Sequence, residues 1–251
     1  MAGEMKYAVE VAEMVGGEAQ FVNKNGNGVW AVIIGTGTVR PTVYIDAFIK
    51  DGLSVTQASE LIKKKLKKAD AEKSMAVAAK LCNNFGEVVK EQSQNLFLRI
   101  MHKKAAENGY VYTPAETDGF EDLILVPYFD FGNGMRTPIK KAHVEAFNLD
   151  SDVIFDVALE NTKYEISDYM GMTVVNDELS GAAGIVKARK DLKKMFPEGY
   201  WAIPSSVHEF LIVPATMPIT EEELTALIKE VNAEHVDRTE WLSDHLYKFE
   251  P

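Results

Sequence analysis

Residues 21–34 read FVNKNGNGVWAVII, and this stretch predicts the structure near the N-terminal end of the chain. Apolar residues at 21–22 and 29–34 stand on either side of the run Asn25-Gly26-Asn27-Gly28. An Asn-Gly step between two apolar segments is a strong signal for a tight hairpin turn, because such a turn needs positive φ at its centre. The stretch therefore predicts two neighbouring antiparallel strands.

The order strand, turn, strand and helix is predicted in three stretches of the chain, residues 29–68, 123–162 and 182–234. In the first and third, a capping box opens the helix, at Ser54-Val-Thr-Gln57 and at Thr220-Glu-Glu-Glu223. Antiparallel hairpins that are each covered by helices predict an α+β fold of recurring β-β-α units. The recurrence needs no common origin, since a helix over one face is the usual cover of an antiparallel hairpin.

Residues 70–108 differ from the rest, because helix-forming residues dominate and no proline interrupts them. Their apolar residues recur at intervals of three and four: Met75, Ala78, Cys82, Phe85, Val89, Leu96 and Ile100. This spacing predicts one long helix with a buried face, or two helices joined near residues 83–86. We therefore predict an N-terminal β-β-α unit of residues 1–69, a helical connector of residues 70–108 and a C-terminal α+β domain of residues 109–251.

Three shorter assignments in the second half rest on local pattern alone. Residues 139–147 and residues 182–187 are expected to form strands. Residues 166–171 are expected to form a short helical turn.

The composition indicates a globular protein with an uneven charge. The chain has 251 residues, of which 46% are hydrophobic and 26% charged, and its formal net charge is −11. Residues 60–104 hold eleven Lys and Arg against five acidic residues, which is +6, so the remainder carries −17. An acidic remainder disfavours non-specific binding to nucleic acid or to an anionic membrane.

Location is predicted from three further features of the sequence. No run of about 18 apolar residues occurs, so no membrane-spanning helix is expected. The first residues lack the basic and apolar regions of a signal peptide. The single cysteine, Cys82, has no internal partner for a disulfide and is expected to be a buried, inert thiol. Together these features predict a cytoplasmic protein.

Residues 203–214, IPSSVHEFLIVP, hold the candidate site, because a polar cluster directly precedes an apolar strand. Ser206 and His208 are two residues apart, so on an extended strand they point to the same face. With Glu209 they could form the nucleophile, base and acidic group of a hydrolase. The strained nucleophile turn and the oxyanion hole of such enzymes are missing from the pattern. The alternative is structural: the serine hydroxyls, Ser205 included, cap backbone amides, and His208 pairs with Glu209 at the strand end.

Metal and cofactor sites are not expected. His208-Glu209 begins like the zinc motif His-Glu-x-x-His, but Ile212 occupies the position of the second histidine. The glycine pairs at 26/28, 35/37 and 132/134 lack the spacing of phosphate-binding loops and suit hairpin turns.

Several segments resemble a family of uncharacterised bacterial proteins from gut anaerobes, domain of unknown function 5688. They are residues 25–29, 41–45, 160–162, 181–183, 203–209, 230–232 and 242–244 with Tyr247. The resemblance extends over nearly the whole chain and is clearest from Gly181 onward. It implies a similar fold and brings no activity and no catalytic residues.

Two functions remain open from the sequence. The first is a non-catalytic protein that binds a protein partner; a phage-derived factor that antagonises a host defence system is one role that an acidic chain would fit. The second is a hydrolase centred on Ser206, His208 and Glu209.

Overall fold

The computed structural model describes residues 2–35, 40–67, 83–132, 135–169 and 171–251. These residues form three antiparallel sheets with helices packed against them, which confirms the predicted α+β fold. Within these ranges, no helix is both long enough and apolar enough to cross a membrane.

The N-terminal sheet begins with the hairpin predicted from residues 21–34. Its elements are α1 (Ala2–Val15), β1 (Gly17–Lys24), β2 (Asn27–Ile34), β3 (Thr42–Tyr44), α2 (Asp46–Lys50) and α3 (Val55–Leu66), and the strand order is β1-β2-β3. Asn25 and Gly26 form the turn with φ of 53° and 90°. The capping box of Ser54 and Gln57 opens α3 as predicted. Residues of α1, β2 and α3 enclose a small core of their own.

The second sheet is built around one long central strand. Its elements are α4 (Phe85–Glu91), β4 (Leu96–His102), β5 (Thr113–Pro114), β6 (Leu123–Gly132), β7 (Met135–Pro138), α5 (Lys141–Phe147) and α6 (Ser151–Asn161). Strand β6 pairs with β4 along one edge and with β5 and β7 along the other. All three pairings are antiparallel.

The third sheet contains the candidate hairpin. Its elements are β8 (Glu165–Tyr169), β9 (Met172–Asn176), α7 (Ile185–Met195), β10 (Tyr200–Ser206), β11 (Glu209–Pro214), α8 (Glu221–Glu234) and β12 (Tyr247–Phe249). The strand order is β12-β10-β11-β9-β8. The main hydrophobic core runs from Phe85 to Tyr247 and joins this sheet to the second one.

The predicted helix over residues 70–108 is wrong for residues 96–102, which form β4. Six of the seven β4 residues are buried. A strand with both faces covered is a continuous apolar run, and periodicity alone does not distinguish it from a buried helix. Phe85 and Val89 do lie on a helix, whereas Met75, Ala78 and Cys82 lie outside the described residues.

The division at residues 69 and 108 stays a prediction. Strand β4 nevertheless pairs with β6 from Leu96 to His102, so the end of the predicted connector lies in the same sheet as later residues.

The predicted strands at residues 139–147 and 182–187 are wrong. The first range mostly forms helix α5, in line with the helix-forming Lys, Ala and Glu of this segment. The second forms a 3₁₀ turn and the start of α7. Its β-branched pair Ile185-Val186 favours a strand locally, but the Lys, Ala, Arg and Leu residues that follow favour a helix.

The predicted helical turn at residues 166–171 is also wrong, because Glu165–Tyr169 is strand β8, which pairs with β9. Pairing with a neighbouring strand outweighs local propensity here. Of the three predicted β-β-α stretches, residues 29–68 and 123–162 keep the order of strand, strand and helix. In the third, the hairpin consists of β10 and β11, followed by α8.

The Asn25–Gly26 turn joins the N-terminal sheet to the rest of the chain. Asn25 is only 5% exposed, and its side-chain amide donates a hydrogen bond to the carbonyl of Thr239. The amide of Asn23 donates to the carbonyl of Lys104 at 3.0 Å. These bonds hold the end of the hairpin against the second sheet and the C-terminal segment.

Candidate functional site

The segment Pro204-Ser-Ser-Val-His-Glu209 forms the connection between β10 and β11. The hydroxyl of Ser206 accepts a hydrogen bond from the backbone N–H of His208 at 3.1 Å. The imidazole Nε2 of His208 lies 3.3 Å from Oε1 of Glu240. The Ser205 hydroxyl donates to Oε1 of Glu209 at 3.4 Å.

The geometry therefore brings the candidate residues together in a different way from a catalytic triad. Within the described part of the chain, no hydrogen bond joins the Ser206 hydroxyl to the His208 imidazole, and none joins that imidazole to Glu209. The Ser206 hydroxyl acts as a local acceptor in the turn, as the structural alternative expects. The catalytic role of Ser206, His208 and Glu209 stays a prediction.

We expect the substitution Ser206→Ala to lower the free energy of unfolding by about 1 kcal/mol, because one turn hydrogen bond is lost. Urea denaturation of the variant and of the wild type measures the difference. Ser205→Ala, which removes only the long contact with Glu209, is the matched control. Loss of an esterase or peptidase activity in Ser206→Ala at unchanged stability would contradict this structural role and favour the hydrolase.

Backbone hydrogen bonds from two other segments, at Ala182 and at Glu240, hold the β10–β11 turn in place. The backbone N–H of Ala182 donates to the carbonyl of Val207 at 3.1 Å, and the N–H of Val207 donates to the carbonyl of Glu240 at 2.9 Å. Gly181 has a φ of +56°, and a Cβ there would lie 2.6 Å from the Val207 oxygen. Only glycine allows the chain to approach the turn this closely. The position of Gly181 in the sequence is thus explained by packing.

Asp122 connects the loop before β6 to the C-terminal segment. Its Oδ2 accepts a hydrogen bond from the Ser243 hydroxyl at 2.6 Å, and its Oδ1 accepts one from the Tyr247 hydroxyl. Nε2 of His102 lies 3.6 Å from the same Oδ2. Nearby, the amide of Asn232 donates to the Ser243 carbonyl at 2.9 Å. The segments around residues 232 and 243–247, which resemble the family of unknown function, are therefore parts of one hydrogen-bonded network.

Burial favours the neutral forms of His102 and Tyr247 in this network. The pKa of His102 is lowered mainly by burial, and the neighbouring charge of Asp122 only partly offsets this. The pKa of Tyr247 is raised by burial and by the adjacent carboxylate of Asp122. Nδ1 of His102 accepts a hydrogen bond from the backbone N–H of Lys104, so the proton of the neutral ring is on Nε2, facing Asp122. Ser243 is only 1% exposed.

An apolar groove lies between helix α8 and the strands β9, β10 and β11. Its volume is about 250 Å³, and its walls include Met172, Ile203, Leu211, Met217, Leu227 and Val231. The strands present alternate residues to the groove, and α8 presents one helical face. Leu224 and Ile228 of α8 are buried on Trp201 and Val213, which fixes the helix against the sheet.

Four of the groove side chains remain open to solvent. The exposed fractions are 43% for Met172, 52% for Met217, 48% for Leu227 and 37% for Val231. Ser205 also lines the groove, so the predicted site lies at its margin. The groove itself was not predicted from the sequence. Residues 224, 227, 228 and 231 show the i, i+3, i+4, i+7 spacing of a helix with one apolar face, which predicts that face but not that part of it stays exposed.

The residues that the structure describes contain no group of three or more His, Cys, Asp and Glu side chains that could hold a metal ion.

Residues 167–251 match the model of a family of unknown function, DUF5688. The match confirms the expected resemblance over this part of the chain, which holds the third sheet, the groove and the C-terminal partners of Asp122. An origin in gut anaerobes stays a prediction. Comparison with curated proteins and with solved structures gives no significant match.

Proposed function

We propose that this protein is a non-catalytic binding protein whose apolar groove receives an apolar segment of a partner protein. One observation carries the proposal: Met172, Met217 and Leu227 are about half exposed around a single concavity. Removing apolar surface from water contributes roughly 25 cal/mol per Å². A continuous patch of such side chains is typical of an interaction site, whereas single exposed apolar residues are ordinary.

The residues of helix α8 support this use of the groove. Leu224 and Ile228 already attach the helix to the sheet and are 3% and 4% exposed. Leu227 and Val231, one turn apart, add nothing to that attachment and face the groove instead. What distinguishes these two residues from ordinary packed positions is their exposure, 48% for Leu227 and 37% for Val231. Methionines at the opposite wall suit a binding surface, because their side chains adapt to different shapes.

Charge at the groove indicates the chemistry of the partner. Glu230 and Glu234 are exposed on α8, and each lies three residues beyond a groove residue, Leu227 or Val231. Residues three apart are neighbours on a helix surface. We therefore infer a partner segment with apolar side chains for the groove and Lys or Arg beside them.

We expect Leu227→Glu to abolish binding of the partner without unfolding the protein, because the partner's apolar segment would have to desolvate the new carboxylate to fill the groove. The matched control is Val153→Glu, which changes an apolar residue of 57% exposure on helix α6. A photo-crosslinking amino acid at position 227 or at position 153, in cells of the native host, measures contact directly.

A discrete crosslinked protein is expected from position 227 and not from position 153. Equal crosslinking at both positions would contradict a specific groove. A crosslink between two copies of this chain would replace the proposed partner by self-association.

Antagonism of a host defence system, the role named from the sequence, is one function that a protein-binding groove would serve. The hydrolase is the weaker alternative, because the Ser206 hydroxyl and the His208 imidazole bond to other groups.

A further inference from the structure

A second concavity, which we call the polar cavity, lies between helix α8, the end of β4 and the C-terminal segment. Its volume is about 550 Å³, within the range of roughly 300–1,000 Å³ that is typical of sites for small molecules. Unlike the apolar groove, it is lined mainly by polar side chains, among them Lys104, Glu221, Thr225, Lys229, Trp241 and Asp244.

Helix α8 presents one face to the polar cavity and another to the apolar groove. Glu221, Thr225 and Lys229 recur every four residues, so they share one face of the helix. Leu227 and Val231 lie on the face that lines the groove. The two concavities share no residue, so this inference does not depend on the function proposed for the groove.

Hydrogen bonds and ring packing hold the wall opposite α8 in one arrangement. Oδ1 of Asp244 accepts a hydrogen bond from the side-chain amide of Asn232 at 2.7 Å and one from Nε1 of Trp241 at 2.9 Å. The Trp241 ring packs on the imidazole of His102, with 5.0 Å between the ring centroids. That imidazole lies 3.6 Å from the carboxylate of Asp122. Side chains that are already ordered lose little entropy when a ligand binds.

Charges of both signs line the polar cavity without pairing with one another. In the described ranges, Lys104 and Lys229 have no carboxylate within ion-pair distance, and Glu221 has no cation within it. Both hydrogen bonds to Asp244 go to Oδ1, so Oδ2 keeps its capacity to accept. Two ammonium groups and two carboxylates are therefore available to a ligand.

The remaining ionisable groups of the cavity are already engaged. Asp122 accepts hydrogen bonds from the hydroxyls of Ser243 and Tyr247. Nε2 of His245 lies 3.5 Å from Oε2 of Glu121. These groups contribute to the shape of the cavity rather than to its free charges.

The spacing along α8 separates the two kinds of charge. Glu221 and Lys229 are eight residues apart, which is about 12 Å along the helix axis. Residues three or four apart are neighbours on a helix surface, whereas residues eight apart are not. A ligand that contacts both side chains therefore needs a positive and a negative group at its two ends.

We propose that the polar cavity binds a small zwitterion, a molecule with a free ammonium group and a free carboxylate group. The carboxylate is bound by Lys104 and Lys229, and the ammonium group by Glu221 and by Oδ2 of Asp244, through charged hydrogen bonds. The indole of Trp241 offers apolar surface to the part between them. The distance between Glu221 and Lys229 favours a short peptide with free termini over a free α-amino acid.

Other ligand classes fit the charges less well. An anion pairs with the two lysines but is repelled by Glu221 and Asp244, and a cation meets the reverse arrangement. A long polyanion would in addition extend over the acidic remainder of the chain, which carries −17 outside residues 60–104. Only a ligand with both charges neutralises all four groups.

The test is calorimetric titration of the full-length protein with trialanine and with glycine at low ionic strength. Saturable binding of trialanine is expected, and its N-acetyl and amide derivatives, which each lack one charge, are expected to bind about tenfold more weakly. Glycine distinguishes the two sources of a zwitterion. Weaker binding of glycine assigns the cavity to short peptides, and tighter binding assigns it to free amino acids.

Matched variants test the assigned residues. Lys104→Met and Glu221→Gln are each expected to weaken binding of trialanine about tenfold, the usual loss for one charged hydrogen bond. Lys103→Met and Glu222→Gln are the controls, because these exposed neighbours in the sequence do not line the cavity. Each control is expected to change the affinity less than about twofold.

Four results would overturn the proposal, given circular dichroism spectra that show folded variants. They are no saturable binding of either zwitterion at millimolar concentration, equal affinity for trialanine and both blocked derivatives, equal losses in each variant and its control, and tighter binding of pyrophosphate than of trialanine. The last result would assign the cavity to anions.

Discussion

Replacing Phe120 with alanine is expected to lower the free energy of unfolding by about 4 kcal/mol. The ring is fully buried in the loop before β6. Its centroid lies 4.9 Å from that of Tyr247, 5.3 Å from that of Phe210 and 5.5 Å from that of Phe249. Truncation leaves a cavity among three aromatic rings, one on β11 and two on β12, and such a site collapses poorly.

Urea denaturation, followed by circular dichroism, measures this loss. Tyr169→Ala is the matched control, because it removes an aromatic ring that is 65% exposed on the edge strand β8. The control is expected to stay within about 0.5 kcal/mol of the wild type. If Phe120→Ala lost less than about 1 kcal/mol, the loop would not be a part of the core.

The position of Phe120 also bears on where the folding unit ends. The family model matches residues 167–251, yet the core of this segment is completed by side chains that precede it. Phe120 packs on Phe210 and Tyr247, and Leu123 and Phe129 belong to the same core cluster. The side chains of residues 167–251 therefore share one hydrophobic core with side chains of the second sheet.

Local signals in the sequence predicted those parts of the fold that short-range chemistry determines. Positive φ at Asn25 and Gly26 confirms the first hairpin turn. Side chains bond to the free amides at both capping boxes, Ser54 with Gln57 and Thr220 with Glu223. In each of these cases the residue type and the backbone conformation are linked within four residues, so no tertiary information is needed.

Prediction failed where long-range packing decides the structure. Strand β4 pairs with β6, and six of its seven residues are buried. Its sequence therefore lacks the alternation of polar and apolar residues that would distinguish a strand from a helix. The same holds for the sites. Ser206 and His208 are two residues apart in the sequence, but Glu240, which the His208 imidazole contacts, is distant in sequence.

Asp122→Ala is expected to lower the free energy of unfolding by about 3 kcal/mol. The substitution leaves the hydroxyls of Ser243 and Tyr247 without their acceptor, and both residues are 1% exposed. A buried polar group that loses its partner costs about 1–3 kcal/mol, so the two hydroxyls account for the expected loss. The neutral imidazole of His102, 3.6 Å from the carboxylate, also loses its neighbour.

Two further substitutions separate the hydrogen bonds from the general effect of altering this loop. Asp122→Asn keeps one carbonyl acceptor and should lose less than Asp122→Ala, because one hydroxyl can still donate to it. Glu121→Ala removes the neighbouring carboxylate, which is 60% exposed and pairs with His245 at 3.5 Å, and should cost less than about 1 kcal/mol. Urea denaturation of all three variants gives the order. Equal losses in Glu121→Ala and Asp122→Ala would mean that the loop tolerates no change, and that the hydroxyls of Ser243 and Tyr247 do not depend on Asp122. The expected order, by contrast, would show that a residue outside the family match holds the C-terminal segment in place.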